Sequence, residues 1–117
     1  SGKSIEYIAN QLNSILTKTQ KINVSSLILA YEPLWAIGTG MAAPTHFLQQ
    51  ITSEIRRIFS DIFRGAFSAD IRIIYGGSVS VDNVSEIVSI PTIDGVLVGS
   101  SSLNAKSFSE IVRIANK

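Results

Sequence analysis

The chain has 117 residues, with ten Lys/Arg against nine Asp/Glu and no cysteine. The net charge of +1 and the lack of any long basic run argue against a nucleic-acid or membrane-surface partner, and the absence of cysteine excludes disulfides and thiol chemistry. The length suits one small domain, and no apolar run approaches the roughly 18 residues that a membrane-spanning helix needs.

Four segments repeat apolar residues at the spacing of an α-helix. They cover residues 5–16, 47–62, 84–88 and 108–115. Ser80 and Asn104 are expected as N-caps of the third and fourth helices, and Pro44 suits the first turn of the second. Among the arginines of the second helix, one is expected to form a structural ion pair with Asp94.

Three short apolar runs, 26–31, 71–75 and 95–99, separate these helices. They are rich in Ile, Val and Leu without clear alternation, which predicts strands buried on both faces. The order α-β-α-β-α-β-α indicates an α/β fold with a parallel sheet and helical crossovers. Three strands leave two open sheet edges and the chain does not begin with Met, so we expect a part of a larger barrel.

The loops after the three strands are the candidate site, because chemistry in α/β folds gathers at the carboxyl ends of parallel strands. Glu32 ends the first strand. The glycine loop (75–80, YGGSVS) and the serine loop (98–104, VGSSSLN) offer backbone N–H groups and hydroxyls. Such loops can bind a phosphate. The same residues also occur at ordinary helix caps, so both interpretations stand at this point.

Glu32 is followed at once by an apolar loop. Pro33 restricts the backbone, and Leu34 and Trp35 would normally avoid water. A strand-end carboxylate is often only a cap or an ion-pair partner, and Trp35 could simply fill a core. A loop that closes over Glu32 and expels water explains both features together.

The block AYEPLWAIGTG (30–40), followed by YGGSV and DGVLVGSSSL, closely resembles triosephosphate isomerase. The resemblance covers essentially the whole chain. It implies the C-terminal half of a (β/α)8 TIM barrel, with parallel strands six to eight and helices five to eight. Residues 1–117 would then form a single C-terminal half-barrel fragment.

The resemblance also implies roles for individual residues. Glu32 would be the base that moves a proton between adjacent carbons of a triose phosphate through an enediol(ate). Residues 33–43 would form a mobile lid, supported by the hydroxyl of Tyr75. The lid residues implied are Pro33, Leu34, Trp35, Ala36, Ile37, Gly38 and Thr39, of which Gly38 would meet the phosphate. The other phosphate-binding residues would be Ser78, Gly99 and Ser100, with Leu97 as an apolar wall beside Glu32.

Two departures from the family pattern qualify these roles. Ser100 stands where the family usually has a glycine, and a serine would be strained there if the position needs a positive φ. The family's catalytic lysine and electrophilic histidine belong to the N-terminal half. His46 and Lys106 are expected on helix surfaces, so the isolated fragment is expected to be inactive.

Further expectations follow from the resemblance. No metal and no cofactor is expected. The small-molecule partner is a triose phosphate, and the parent is expected to be a cytoplasmic homodimer of glycolysis and gluconeogenesis. The open edges would be covered by the missing N-terminal half or by self-association. Two alternatives are a catalytically dead half-barrel module that self-associates and another phosphate-binding barrel enzyme.

Overall fold

The apolar stripes form three parallel strands connected by helices. A computed structural model describes residues 2–18, 23–63 and 71–116. The helices and strands in chain order are α1 (Gly2–Leu16), β1 (Ile28–Tyr31), α2 (Thr45–Phe63), β2 (Arg72–Gly76), α3 (Val84–Val88), β3 (Gly95–Leu97) and α4 (Ala105–Ala115). The predicted α/β class and element order are confirmed.

The element ends differ from the prediction where local turns intervene. A short 3₁₀ turn, Val24–Ser26, delays the start of β1. Asn104 caps α4 as predicted, because its side-chain oxygen accepts a hydrogen bond from the Ser107 N–H at 2.9 Å. The predicted cap of α3 is wrong. Ser80 begins a turn in which its N–H donates to Asn83 Oδ1 at 2.9 Å, and Asn83 is the residue that precedes the helix.

The sheet order is β1-β2-β3, with all neighbours parallel. Tyr31 on β1 is level with Tyr75 on β2, and Gly76 on β2 is level with Leu97 on β3. Parallel pairing therefore brings the three strand-end loops to the same edge of the sheet. Within the described ranges, β1 and β3 each have one edge without a neighbouring strand.

The helices bury one face of the sheet in two apolar clusters. The α1–α2 cluster contains Leu12, Leu16, Ile55, Ile58, Phe59, Ile71 and Ile73. The α3–α4 cluster contains Ala43, Leu48, Tyr75, Val79, Val84, Ile87, Ile90, Ile93 and Ile111. Tyr31 is half-buried and packs against both clusters.

The opposite face of the sheet is largely uncovered, so the expectation of strands buried on both faces is wrong. Ile28 is 50% exposed and Leu97 is 44% exposed, and Ala30 is exposed between them. The alternation of side chains sends these residues away from the helices. Three strands are too few to close on themselves and bury that face.

An ion pair joins α2 to the amino ends of the strands, as predicted for Asp94. An Arg56 guanidinium nitrogen donates to Asp94 Oδ2 at 2.7 Å. Asp94 also exchanges hydrogen bonds with the backbone of Ile73, so the pair sits at the start of β3. This end of the sheet lies opposite the loops that follow the strands.

No helix in the described ranges is long and apolar enough to cross a membrane.

Candidate active site

Glu32 lies directly after β1 on the uncovered face of the sheet. The side chains of Leu29 and Tyr31 pack against the helices, so the alternation turns Glu32 to the other face. Glu32 is exposed, whereas the following Pro33 is buried with an extended backbone (φ −64°, ψ 122°). The strand thus delivers a carboxylate to the loop edge on a backbone that proline holds in place.

The segment predicted to form a lid, residues 33–43, is called the lid below. It begins after Glu32 with a 3₁₀ turn, Leu34–Ala36, and continues as an irregular segment. Ala36 is fully buried, but Leu34 is 84% exposed and Trp35 is 55% exposed, with the indole edge-on to Phe47 at 5.7 Å between ring centroids. Trp35 is therefore not a core residue, and the alternative that it simply fills a core is wrong.

Two glycines let the lid turn back toward the sheet. Gly38 and Gly40 have φ values of +70° and +75°, a region that other residues adopt at a cost. Thr39 lies between them, and its hydroxyl donates to the Ala36 carbonyl at 3.3 Å and accepts from the Met41 N–H at 3.2 Å. Thr39 is thereby bonded to the lid residues on both sides of it in the sequence, Ala36 and Met41.

Ser78 fastens the lid to the glycine loop. Its hydroxyl donates to the Ala36 carbonyl at 2.8 Å and accepts from the Gly40 N–H at 3.1 Å. Its φ is +52°, the one positive value outside glycine among the described residues. Because both contacts use the hydroxyl, the group that Ser78 can still offer to an anion is its backbone N–H.

Tyr75 fastens the far end of the lid. Its hydroxyl accepts a hydrogen bond from the Ala43 N–H at 2.9 Å, and the whole side chain is buried in the α3–α4 cluster. Burial raises the pKa of the Tyr75 phenol, and the bond from Ala43 opposes that rise only in part. The phenol therefore stays neutral across the physiological range.

A cavity of about 650 Å³ opens between the lid, the glycine loop and the serine loop. The sequence-predicted residues that line it are Glu32, Ile37, Gly38, Ser78, Leu97, Gly99 and Ser100. Glu32 is the one charged side chain among the described residues of this lining. The rest of the polar surface consists of backbone groups and serine hydroxyls, which suits a ligand that is itself anionic.

Ser100 begins a 3₁₀ turn, Ser100–Leu103, directly after Gly99. Ser100 does not have a positive φ, so the backbone strain considered for a serine at this position is absent. Ser100 is exposed and lines the cavity.

Comparison with known proteins gives a single answer. The family model described as triosephosphate isomerase matches residues 1–115. The chain belongs to the triosephosphate isomerase family. A triosephosphate isomerase of Streptococcus agalactiae is 41% identical over 108 residues, covering 92% of this chain and 43% of the relative. One of Francisella tularensis is 38% identical over 117 residues, covering 100% of this chain and 46% of the relative.

The chain therefore spans less than half the length of these triosephosphate isomerases, and it matches their C-terminal part. A partial TIM barrel accounts for the uncovered sheet face and for the two edges without a neighbour in the described ranges. The family thus confirms the predicted fold and explains why one face lacks a cover.

His46 and Lys106 lie away from the cavity. His46 is exposed in the first turn of α2, and Lys106 is exposed near the start of α4. Neither residue lines the cavity that contains Glu32. In the described part of the chain, no group of three or more His, Cys, Asp or Glu is arranged to hold a metal ion.

Sequence reasoning treated Gly76 and Gly77 only as flexible anion-binding residues and missed a steric role. A Cβ at Gly76 would lie 2.9 Å from Glu32 Cγ, and a Cβ at Gly77 would lie 2.5 Å from the Tyr75 hydroxyl. A real Cβ at such a distance would force the neighbouring side chain to move, so the observed arrangement at both positions depends on the absence of a Cβ. The strand register and the alternation of faces were the signals that could have shown this for Gly76.

Proposed function

We propose that this chain carries the base and the phosphate-binding loops of a triosephosphate isomerase, which interconverts glyceraldehyde 3-phosphate and dihydroxyacetone phosphate. The observation that supports the proposal is the cavity that Glu32 lines together with the glycine loop, the serine loop and the lid, which Ser78 and Tyr75 hold by hydrogen bonds. The named relatives are triosephosphate isomerases, which supports the same reaction.

Each part of the site has a task in that reaction. Glu32 takes a proton from one carbon of the triose phosphate and returns it to the neighbouring carbon, through an enediol(ate). The N–H groups of Gly38, Ser78 and Ser100 bind the phosphate without a metal or an organic cofactor. The lid keeps water from the enediolate, and Leu97 forms an apolar wall beside the base.

We expect the isolated chain to be inactive. Proton abstraction places negative charge on the substrate oxygen, and that charge needs a cation or a hydrogen-bond donor besides the N–H groups that bind the phosphate. No described residue of the cavity lining is a lysine, an arginine or a histidine. Loss of such stabilisation costs several kcal/mol, which is roughly several powers of ten in rate.

We also propose that the N-terminal half of the barrel, on the same or another chain, is the natural partner of the uncovered face. A groove of about 600 Å³ runs between α1 and the open edge of β1, lined by apolar residues such as Ile8, Leu12 and Leu29. A parallel strand placed there would pair with β1, and the complete enzyme would be a homodimer in the cytoplasm.

A second candidate function is a folding module without catalysis that self-associates. The exposed Ile28 and Leu97 favour it, because an apolar sheet face attracts another copy when no other cover is present. A third candidate, another phosphate-binding barrel enzyme, differs in its substrate. A lid that directly follows a strand-end carboxylate and is held by the glycine loop supports the isomerase over that third candidate.

The test is an isomerase assay of the chain alone and of the chain mixed with the N-terminal half of a relative, such as that of Streptococcus agalactiae. We expect activity from the mixture and none from the chain alone. Glu32→Gln should lower kcat of the mixture by about 10²- to 10⁴-fold, because the base is lost.

Glu86→Gln is the matched control, since it removes the same charge from an exposed position on α3. It should leave kcat unchanged. Full activity of the isolated chain would refute the need for groups from elsewhere. An inactive mixture of two folded halves would refute the proposed function, and turnover of a different sugar phosphate alone would favour the third candidate.

A further inference from the structure

Glu32, Gly76 and Leu97 form one row across the uncovered face at the loop edge of the sheet. Tyr31 is level with Tyr75, so the next residues along the two strands, Glu32 and Gly76, are neighbours. Gly76 is in turn level with Leu97. The middle position of the row has no side chain, and it separates the candidate base from its apolar wall.

The Glu32 side chain occupies the space that a side chain on Gly76 would need. A Cβ at position 76 would lie 2.9 Å from Glu32 Cγ, 2.9 Å from Oε1 and 3.3 Å from Cδ. All three distances are to Glu32 and none is to backbone. The Glu32 side chain therefore lies beside the Gly76 backbone, in a seat that exists because position 76 has no Cβ.

The reason for glycine at this position is steric rather than conformational. Gly76 belongs to the regular part of β2, and its φ is not positive. An alanine could adopt the same backbone, and the three atoms nearest to its methyl group would all belong to the Glu32 side chain. Glu32 is exposed and can rotate away from an added methyl group at little cost in stability.

We infer that Gly76 is a positioning residue, whose missing side chain forms the seat that aims the Glu32 carboxylate into the cavity. The inference rests on the proposed function of Glu32 as the base. A carboxylate displaced by about 1 Å from its productive position can lose on the order of 10² in rate. Stability should hardly change because Glu32 can rotate away, and phosphate binding should hardly change because the N–H groups proposed for it belong to Gly38, Ser78 and Ser100.

The kinetic test uses the chain combined with the N-terminal half. Gly76→Ala should lower kcat by about 100-fold while KM stays within about twofold, because the N–H groups proposed to bind the phosphate, those of Gly38, Ser78 and Ser100, are unchanged. Gly95→Ala is the matched control. It adds a methyl group to the adjacent strand, 3.3 Å from Ile74 Cγ2, and should leave kcat unchanged.

A double-mutant cycle separates positioning from a general effect on the fold. Glu32→Ala lacks the Cγ, Cδ and Oε1 atoms that the added Cβ would meet. In that background, Gly76→Ala should lower the residual kcat further by only about threefold or less, because the side chain through which it acts is gone. An equal loss in both backgrounds would overturn the inference, as would an unchanged kcat of Gly76→Ala.

A structural readout in the chain itself keeps the two proposals distinct. The nuclear Overhauser effect between the Gly76 Hα and Glu32 Hγ protons should be present in the wild-type chain, and Gly76→Ala should shift the Glu32 side-chain resonances while Gly95→Ala does not. If this contact is observed but the combined halves are inactive, the proposed function is wrong, while the placement of the Glu32 side chain beside Gly76 is still supported. If the contact is absent, the inference fails whatever the activity.

Discussion

Tyr75 links the buried interior to the end of the lid through one hydroxyl. The bond from the Ala43 N–H is buried, so its loss leaves a backbone donor without a partner. Tyr75→Phe should therefore lower the free energy of unfolding by roughly 1–3 kcal/mol at neutral pH. Thermal or urea unfolding measures the change.

The raised pKa of the Tyr75 phenol predicts how the free energy of unfolding changes at alkaline pH. Burial raises its pKa above the usual 10.0, so above that pH the unfolded chain loses the proton first and stability falls as pH rises toward the folded-state pKa. Tyr75→Phe should flatten this alkaline loss. Tyr7→Phe, which changes an exposed tyrosine of α1, should retain it. Equal pH profiles for the two variants would contradict the assignment.

At the residue scale, the sequence identified Glu32 and the lid because their chemistry is unusual for their place in the chain. An acid after a buried strand and apolar residues in a loop both depart from the ordinary pattern. Gly76 carried no such signal. Its meaning depends on the side chain of a residue 44 positions earlier in the sequence, which only the strand register brings beside it.

At the scale of elements, Arg56 on α2 holds the amino ends of β2 and β3 together. Besides the bond to Asp94, its guanidinium donates to the Ile71 carbonyl at 2.9 Å and to the Thr92 carbonyl at 3.1 and 3.3 Å. The side chain of Arg56 is 21% exposed, so water can replace these bonds only in part. One residue thus joins a helix to two strands.

Arg56→Met should lower the free energy of unfolding by roughly 2 kcal/mol, because several backbone carbonyls and the Asp94 carboxylate lose their donor. Arg57→Met is the control on the same helix. Arg57, whose side chain is 60% exposed, pairs with Glu54 and Asp61 at the surface, and such pairs contribute little. Urea unfolding should separate the two variants, and a loss as large for Arg57 as for Arg56 would argue against the network.

The element order was predictable because the period of the apolar residues and the glycines after the strands can be read directly from the sequence. The residues at which the helices and strands begin and end were not predictable in this way. Asn83 competes with Ser80 for the cap of α3 through a side-chain bond within the preceding turn, and a sequence pattern does not rank two such caps. The prediction that the strands are buried on both faces was also wrong. A hydrophobic run shows that a strand is apolar, but it does not show which part of the protein covers it.

At the scale of the whole molecule, the uncovered face predicts self-association of the isolated chain. Light scattering with size-exclusion chromatography at micromolar concentration should show a dimer or larger species. Ile28→Lys should shift the chain toward monomer, because it places a charge in the apolar face.

Leu103→Lys is the matched control, since Leu103 is 89% exposed on the serine loop. It should leave the oligomeric state unchanged. The N-terminal half should also replace the second copy when it is added. A stable wild-type monomer at micromolar concentration would exclude self-association.

The two apolar clusters have a consequence for how the chain opens. Tyr31 packs against both, while α1 belongs to one cluster and α3 with α4 to the other. Local unfolding of α1, or of α3 with α4, exposes one end of β2 and leaves the other cluster in place. Amide protons of β2 should therefore exchange with solvent last. The central strand is then the part of the chain that stays folded while the helices on either side unfold and refold locally.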